Sequence, residues 1–206
     1  MILKMITKEK IELAKRIYSD LKKWNNANNI LTQYFKTNSK NNSQETILIK
    51  VLLIDSLYKT NLKDQLSVAE NISKISLLGD RLNKGEISAV EDISKWNGKN
   101  LLSFASKFCH FHNKNEYPIY DKYVVVALKK LLPDWKDNRT YSNFLDGINK
   151  FRERNLIKEV SFEELDKFLW LFGMLLRLDA GKIDINREIK AYYDANKGLF
   201  DKLKEE

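Results

Sequence analysis

The sequence predicts an all-α protein. Two prolines and seven glycines in 206 residues leave little turn chemistry for a β fold, and apolar residues recur at helical spacing along most of the chain. No apolar run approaches the roughly 20 residues that span a bilayer, and no secretory signal is recognisable. The single cysteine, Cys109, excludes an intramolecular disulfide and a cysteine-built zinc site. We therefore expect a soluble, cytoplasmic helical protein.

The N-terminal part predicts one helix, one loop and a second helix. The first helix has Thr7 as its N-cap and an apolar stripe along one face. Residues 25–44, which are rich in Asn, Ser, Thr and Lys, predict a long surface loop with one helical turn. The segment Glu45–Tyr58 is apolar on nearly every side, which predicts a helix through the middle of a core. The stripe of the first helix is Ile11, Ala14, Ile17, Tyr18, Leu21 and Trp24.

The middle of the chain predicts helices separated by turns. One helix spans 62–78 and is stopped by Gly79, and a short one spans 86–93. Gly98 makes a tight turn before the next helix. Tyr117 and Pro118 then interrupt the helical pattern. The helix before that interruption has its apolar face at Leu101, Phe104, Ala105, Phe108 and His112.

The last third predicts four helices. The first starts at Asp121 and is helical although it is rich in valine, and Pro133 ends it. A second spans 141–151. Ser161 and Glu164 form a capping box for the third, which Gly181 closes. The fourth is one amphipathic helix over 189–203.

The charge of the chain points to a polyanionic partner. Lys and Arg number 36 against 28 acidic residues, so that the formal net charge is +8. The excess is spread along the chain, which favours a folded surface that meets phosphates over a basic tail. A basic protein without such a partner has the same composition, so charge by itself does not decide between the two.

Several classes of enzyme site are absent from the sequence. It contains no phosphate-binding Gly-rich loop with Lys-Ser/Thr, no nucleophile elbow and no His-Glu-x-x-His motif. The two histidines, His110 and His112, are two residues apart and so lie on different faces of a helix, which makes a shared metal ion unfavourable. We expect half-buried histidines that form hydrogen bonds, and we expect neither a metal nor a cofactor.

One segment, residues 96–121, resembles a known family. A short turn with Gly98 and Lys99, an apolar helix, a loop, and then Pro118-Ile-Tyr-Asp121 at a helix start are similar to the helix-hairpin-helix DNA glycosylase superfamily. The reduced hairpin Trp96-Asn-Gly98 and the pattern Phe104-Ala-Ser-Lys107 are similar to the archaeal 8-oxoguanine glycosylase branch. Upstream, 47–56 resembles the first long core helix of the family. The resemblance covers roughly residues 45–132.

The resemblance implies a two-lobed helical bundle with a DNA-binding cleft between the lobes. Residues 45–132 would form the central lobe, with the hairpin and the catalytic aspartate. Residues 1–44 and 133–206 would together form the other lobe.

The resemblance also implies catalytic residues. Asp121 matches the catalytic aspartate, whose carboxylate stabilises positive charge on the sugar when an N-glycosidic bond breaks. An aspartate after a proline loop is equally an ordinary N-cap. Lys99 matches the position of the lysine nucleophile of members with lyase activity. Lys107 is the alternative, as a phosphate contact or an ion-pair partner. With neither lysine reacting, water is the nucleophile.

A glycosylase must turn its target nucleotide out of the duplex and fill the gap. By resemblance, Tyr58 is the wedge, and Lys59 and Asn61 contact the DNA beside it, as do Gly98 and Lys107. Aromatic residues that could stack on the flipped base are Trp24, Trp96 and Tyr120, although aromatics at helical spacing are more often core residues.

Two functions follow from the sequence. The first is a monomeric DNA glycosylase acting on double-stranded DNA with a modified base, in base-excision repair or in defence against modified foreign DNA. The second is a non-catalytic basic helical module that binds DNA or a protein. An RNA-binding helical protein is a third possibility, with a preference for single strands.

Overall fold

The all-α prediction is confirmed. The computed structural model describes residues 5–41, 43–181 and 187–204, and these ranges contain twelve helices and one two-stranded antiparallel sheet. The helices are α1 Lys8–Asp20, α2 Lys22–Thr37, α3 Gln44–Tyr58, α4 Gln65–Ser73, α5 Leu78–Asn83, α6 Ile87–Ser94, α7 Leu102–His112, α8 Lys122–Leu131, α9 Tyr141–Arg154, α10 Phe162–Asp179, α11 Arg187–Ala195 and α12 Lys197–Lys204; the strands are β1 Lys95–Trp96 and β2 Lys99–Asn100.

The chain divides into two compact units. The terminal unit contains Met1–Asn25, Asp121–Asn138 and Asn143–Glu206, and the central unit contains Asn26–Tyr120 and Arg139–Ser142. The lobe boundaries expected from the sequence fell after residues 44 and 132. The compact units instead group 26–44 with the central segment and 121–132 with the terminal segments.

The core of the terminal unit is built around α10. This helix packs against α8 and α1, and α12 packs against both α1 and α10. Ser161 accepts a hydrogen bond from the Glu164 N–H, and the Glu164 side chain accepts one from the Ser161 N–H, so the predicted capping box is confirmed. Gly181 has a φ of +66° just beyond the helix, as expected for a glycine that closes it.

The core of the central unit is built around α7, which packs against α3, α5 and α6, while α4 packs against α3. Nearly all of α7 is buried, including Phe104, Phe108 and Cys109. No helix in the described part of the chain is both long and apolar enough to cross a membrane.

The prediction of a loop at 25–44 is wrong, because most of this segment belongs to the helix α2. Asparagine and threonine are weak helix formers, but Ala27, Leu31 and Phe35 recur every four residues and are buried. The ring of Phe35 meets those of Phe108 and His112 at centroid distances of 5.7 and 4.9 Å. Tertiary packing of this one face outweighs the low propensity.

The expectation that α3 is buried on every side is also wrong. One stripe is buried, formed by Ile47, Lys50, Val51 and Ile54, because its packing partners lie along that stripe. On the other side, Ile49 and Leu52 are 42% and 45% exposed.

Three expected helices end earlier than predicted. The first helix breaks at Leu21, and the helix expected at 62–78 is the shorter α4, with Asp64 as its N-cap. Gly79 does not stop a helix but lies inside α5. The C-terminal helix breaks at Asn196 between α11 and α12. In each case, the apolar spacing continues across the break, so periodicity alone joins the two elements.

Candidate functional site

The hairpin of residues 95–100 carries the first predicted site residue, Lys99. Asn97 and Gly98 form its two-residue turn with φ values of +45° and +71°, as Asn-Gly turns do. The tight turn predicted at Gly98 is therefore confirmed. The Trp96 Nε1–H donates to Ser67 Oγ at 3.0 Å, which holds the indole against α4. Lys99 is exposed, with its Nζ 5.4 Å from the centre of the Trp96 ring.

Asp121 is the N-cap of α8. Its Oδ1 accepts a hydrogen bond from the Tyr123 N–H at 2.8 Å, and its main-chain carbonyl accepts the first helical bond from Val125. Asp121 as a residue is half-buried. The capping role that the sequence allowed is therefore present, and the catalytic role stays a prediction.

The two predicted catalytic residues belong to different units: Lys99 to the central unit and Asp121 to the terminal unit. The same holds for the three aromatic residues expected to stack on a base. Trp24 is in the terminal unit, where its ring meets that of Trp170 at 5.0 Å. Trp96 and Tyr120 are in the central unit, and the Tyr120 N–H donates to Ser106 Oγ at 3.0 Å.

Lys107 is buried, with 1% of its surface exposed. Its Nζ donates to Ser103 Oγ at 2.8 Å and lies 5.7 Å from the centre of the Tyr58 ring. The ammonium group must leave this position to reach a DNA phosphate. Of the two candidate lysines, Lys99 is the one that a solute can reach in this conformation.

The loop after α3 carries the expected DNA contacts. Lys59 and Asn61 are exposed and have left-handed backbone conformations, with φ of +51° and +57°. Tyr58 is half-buried against Phe111, with a ring separation of 5.8 Å. Its action as a wedge stays a prediction, and it requires the ring to leave this contact.

One carboxylate that sequence reasoning missed, Asp55, orders this loop. It accepts hydrogen bonds from Thr60 Oγ1 at 2.7 Å, the Leu62 N–H at 2.9 Å and Gln65 Nε2 at 2.8 Å. Burial alone would raise the pKa of Asp55, but these hydrogen bonds lower it overall. Asp55 therefore stabilises the loop in which Lys59 and Asn61 have left-handed backbone conformations and are exposed to solvent.

A second group that was missed is the fully buried amine of Lys50. Its Nζ donates to Asn41 Oδ1 at 2.8 Å, lies 3.3 Å from His112 Nε2 and 3.4 Å from the Lys40 carbonyl oxygen, and sits 5.0 Å from the centre of the Phe35 ring. All of these partners are neutral. Burial lowers the pKa of Lys50 to about 8. A lysine within an apolar stripe was the sequence signal that could have revealed it.

The two histidines form hydrogen bonds, as expected; His110 is buried, and His112 is half-buried. His110 Nδ1 lies 2.8 Å from the Tyr117 carbonyl oxygen. Burial, and then the nearby charge of Lys50, lower the pKa of His112 to about 3. His112 is therefore neutral, and its Nε2 accepts from the Lys50 ammonium group. Among residues 5–41, 43–181 and 187–204, no three His, Cys, Asp or Glu side chains form a group that could hold a metal ion.

Comparison with known proteins identifies the family. No solved structure matches the chain. An uncharacterized protein of Haemophilus influenzae is 32% identical over 140 residues, which are 63% of this chain and 67% of the relative. Residues 6–116 match the family HI_0787_N, described as an N-terminal domain. This range contains Asp55, Lys99 and Lys107 and ends before Asp121. More than half of the sequence thus matches, and the chain belongs to the HI_0787_N family.

Proposed function

We propose that this protein is a DNA glycosylase that flips a modified base out of double-stranded DNA and breaks its bond to deoxyribose. The observation that carries the proposal is the order of elements over residues 95–131. A hairpin with a two-residue turn and an exposed lysine is followed by the buried helix α7, a loop containing Pro118, and Asp121 at the start of α8. This order supports the resemblance to helix-hairpin-helix glycosylases. Excision would serve base-excision repair or defence against modified foreign DNA.

The proposed chemistry assigns one task to Asp121. Breaking the N-glycosidic bond leaves positive charge on the sugar ring, and the base departs with the bonding electron pair. A carboxylate beside the anomeric carbon stabilises that charge. The hydrogen bond from the Tyr123 N–H fixes the orientation of this carboxylate before substrate arrives.

The proposed nucleophile is water or Lys99. Water adds to the anomeric carbon, loses a proton and leaves an abasic site. The neutral amine of Lys99 would instead form a carbon–nitrogen bond there, and ring opening would give a Schiff base that permits strand cleavage. The exposure of Lys99 supports it over Lys107.

Asp121→Asn tests the catalytic assignment. Asparagine caps a helix as well as aspartate does, so the fold should persist while the negative charge is lost. Duplexes carrying uracil, 8-oxoguanine or 3-methyladenine are incubated with each protein, and abasic sites are measured by alkaline cleavage. We expect base release from at least one duplex, with a rate at least about 100-fold lower in the variant. Equal rates would remove Asp121 from the mechanism.

Borohydride trapping tests Lys99. Reduction of a Schiff base yields a covalent protein–DNA adduct. Lys99→Ala should abolish the adduct, while Lys95→Ala, an exposed lysine on the other strand of the hairpin, should retain it. Base release without any adduct assigns the reaction to water.

A second candidate is a non-catalytic DNA-binding module. The observation that favours it is the cap hydrogen bond of Asp121, which accounts for this residue without any chemistry. Under this alternative, DNA binding persists with no base released from any duplex, and Asp121→Asn binds as the wild type does.

A further inference from the structure

The central unit has an apolar stripe on the outer side of α3 that the proposed function does not use. Ile49 and Leu52 lie on the same side of this helix and are 42% and 45% exposed. Val51 and Ile54, on the opposite side, are fully buried. Neighbouring aliphatic side chains on a helix surface gain free energy when a second apolar surface covers them. The stripe is therefore a candidate contact surface.

Leu66 of α4 adds to this apolar surface. The helix α4 packs along α3, and Gln65 Nε2 donates to Asp55 Oδ2 at 2.8 Å, which places the start of α4 beside the last turns of α3. The next residue after Leu66, Ser67, faces the hairpin, where it accepts from the Trp96 Nε1–H. Leu66 itself is 51% exposed. The exposed apolar surface is thus wider than α3 alone at this end.

The stripe has the spacing of a helix-pairing seam and opposite charges at its two ends. Glu45, Ile49, Leu52 and Ser56 follow one another at the alternating four- and three-residue intervals by which two helices pair. Glu45 is exposed in the first turn of α3, and Lys59 is exposed at the C-cap of the same helix. A second copy of the stripe, running in the opposite direction, matches apolar centre to apolar centre and a lysine to each glutamate. The surface is therefore complementary to itself.

We propose that two copies of this chain pair through antiparallel α3 helices about a twofold axis. Such an interface uses the same surface twice, so Ile49 of one copy packs on Leu52 of the other, and the reverse. Glu45 of each copy then faces Ser56 of the other, one turn from Lys59, which is within reach of its carboxylate. Antiparallel pairing also brings opposite ends of the two helix dipoles together. The proposal does not depend on glycosylase activity, although duplex DNA would compete with the second copy for Lys59.

Sedimentation equilibrium of the full chain tests the pairing. The stripe is narrow, so we expect a weak dimer with a Kd on the order of 10–100 µM at low salt. Leu52→Lys places a charge in the apolar centre and should weaken association at least about tenfold. Leu77→Lys is the matched control, because Leu77 is an exposed leucine of the same unit outside the stripe, and it should leave the Kd unchanged. A wild-type chain that stays monomeric overturns the proposal, as do equal Kd values for the two variants.

An exchange of charges tests the antiparallel direction. Glu45→Lys and Lys59→Glu each bring like charges together at both ends of the interface, so each should weaken the dimer at least about threefold. The double variant restores opposite charges and should associate as the wild type does. Circular dichroism confirms that each variant is folded. A double variant that associates no better than the single variants overturns the antiparallel arrangement.

Discussion

At the scale of single residues, Lys50 sets the chemistry of the α3–α7 contact. Its ammonium group is fully buried, and its hydrogen-bond partners from the 40–41 segment and α7 are neutral oxygen and nitrogen atoms. No carboxylate in the described residues faces it within ion-pair distance. A buried cation without an anion resists protonation, and this is why its pKa falls to about 8.

Lys50 should therefore make stability rise with pH. Between the folded pKa of about 8 and the unfolded value of 10.5, the unfolded chain binds more protons than the folded one, so raising the pH favours folding. The contribution of Lys50 to the unfolding free energy should grow by about 2 kcal/mol from pH 8 to pH 10. Urea titrations should show the unfolding free energy of wild type rising by about 2 kcal/mol relative to that of Lys50→Met across this range.

The comparison with Lys50→Met is needed because other buried groups act in the opposite direction. Burial raises the pKa values of Cys109, Tyr117 and Tyr141, so that stability is lost as the pH rises above their unfolded values. Wild type and Lys50→Met share this loss of stability, so it cancels in the difference between their unfolding free energies. Lys36→Met, an exposed lysine on α2, should keep the wild-type pH profile. A pH-independent difference for Lys50→Met would contradict the prediction.

Single residues were predictable where local chemistry decides. The cap at Asp121, the capping box at Ser161 and the turn at Gly98 each depend on neighbours within four residues, and the sequence shows them. Asp55 and Lys50 were missed because their partners come from loops and helices five or more residues away. Such partners are known only once the chain is folded.

At the scale of elements, α8 and α10 meet at Gly173. A Cβ on this residue would lie 2.0 Å from the Tyr123 carbonyl oxygen, an atom of the α8 main chain. The neighbours Leu169, Phe172 and Met174 of α10 are also buried. Sequence patterns predicted both helices, but the glycine inside α10 carried no signal of this contact.

Gly173→Ala should therefore destabilise the terminal unit. A methyl group there forces the two helices apart, and overpacking at a rigid contact costs about 1–3 kcal/mol or more. Gly198→Ala is the matched control, since a Cβ on this α12 glycine meets nothing within 4 Å and alanine is the better helix former. Thermal unfolding followed by circular dichroism should show a lower Tm for Gly173→Ala and an unchanged or higher Tm for Gly198→Ala. Equal Tm values would contradict the packing argument.

The elements that were predicted wrongly share a cause. The α2 segment has the composition of a loop and α3 that of a buried helix, and both predictions followed from composition. In the structure, the buried residues Leu31 and Phe35 give α2 one apolar face, while Ile49 and Leu52 leave α3 exposed on one side. The four-residue spacing of Ala27, Leu31 and Phe35 was the signal for α2 that the loop prediction overlooked, whereas only the packing partners determine how much of α3 is covered.

At the scale of the whole molecule, the sequence predicted the helical class and the excess of positive charge. It could not fix the grouping of segments into compact units, because 121–138 follows the central segment in sequence and yet packs with the termini. The spacing of Lys99 and Asp121 in the sequence therefore did not show that the two residues belong to different units.

The net charge of +8 gives the last prediction, for duplex DNA binding at equilibrium. Each phosphate neutralised by Lys or Arg releases counterions, so the logarithm of the binding constant falls with the logarithm of salt concentration. With about four phosphate contacts, affinity should fall roughly 100-fold between 50 and 200 mM salt. Fluorescence anisotropy of a labelled 20-base-pair duplex measures the slope.

Removing a lysine that contacts a phosphate should reduce the slope by about one, and Lys59→Ala is the variant to compare with Lys36→Ala. Binding that is insensitive to salt would exclude the basic surface as the source of affinity and with it the premise shared by both proposed functions.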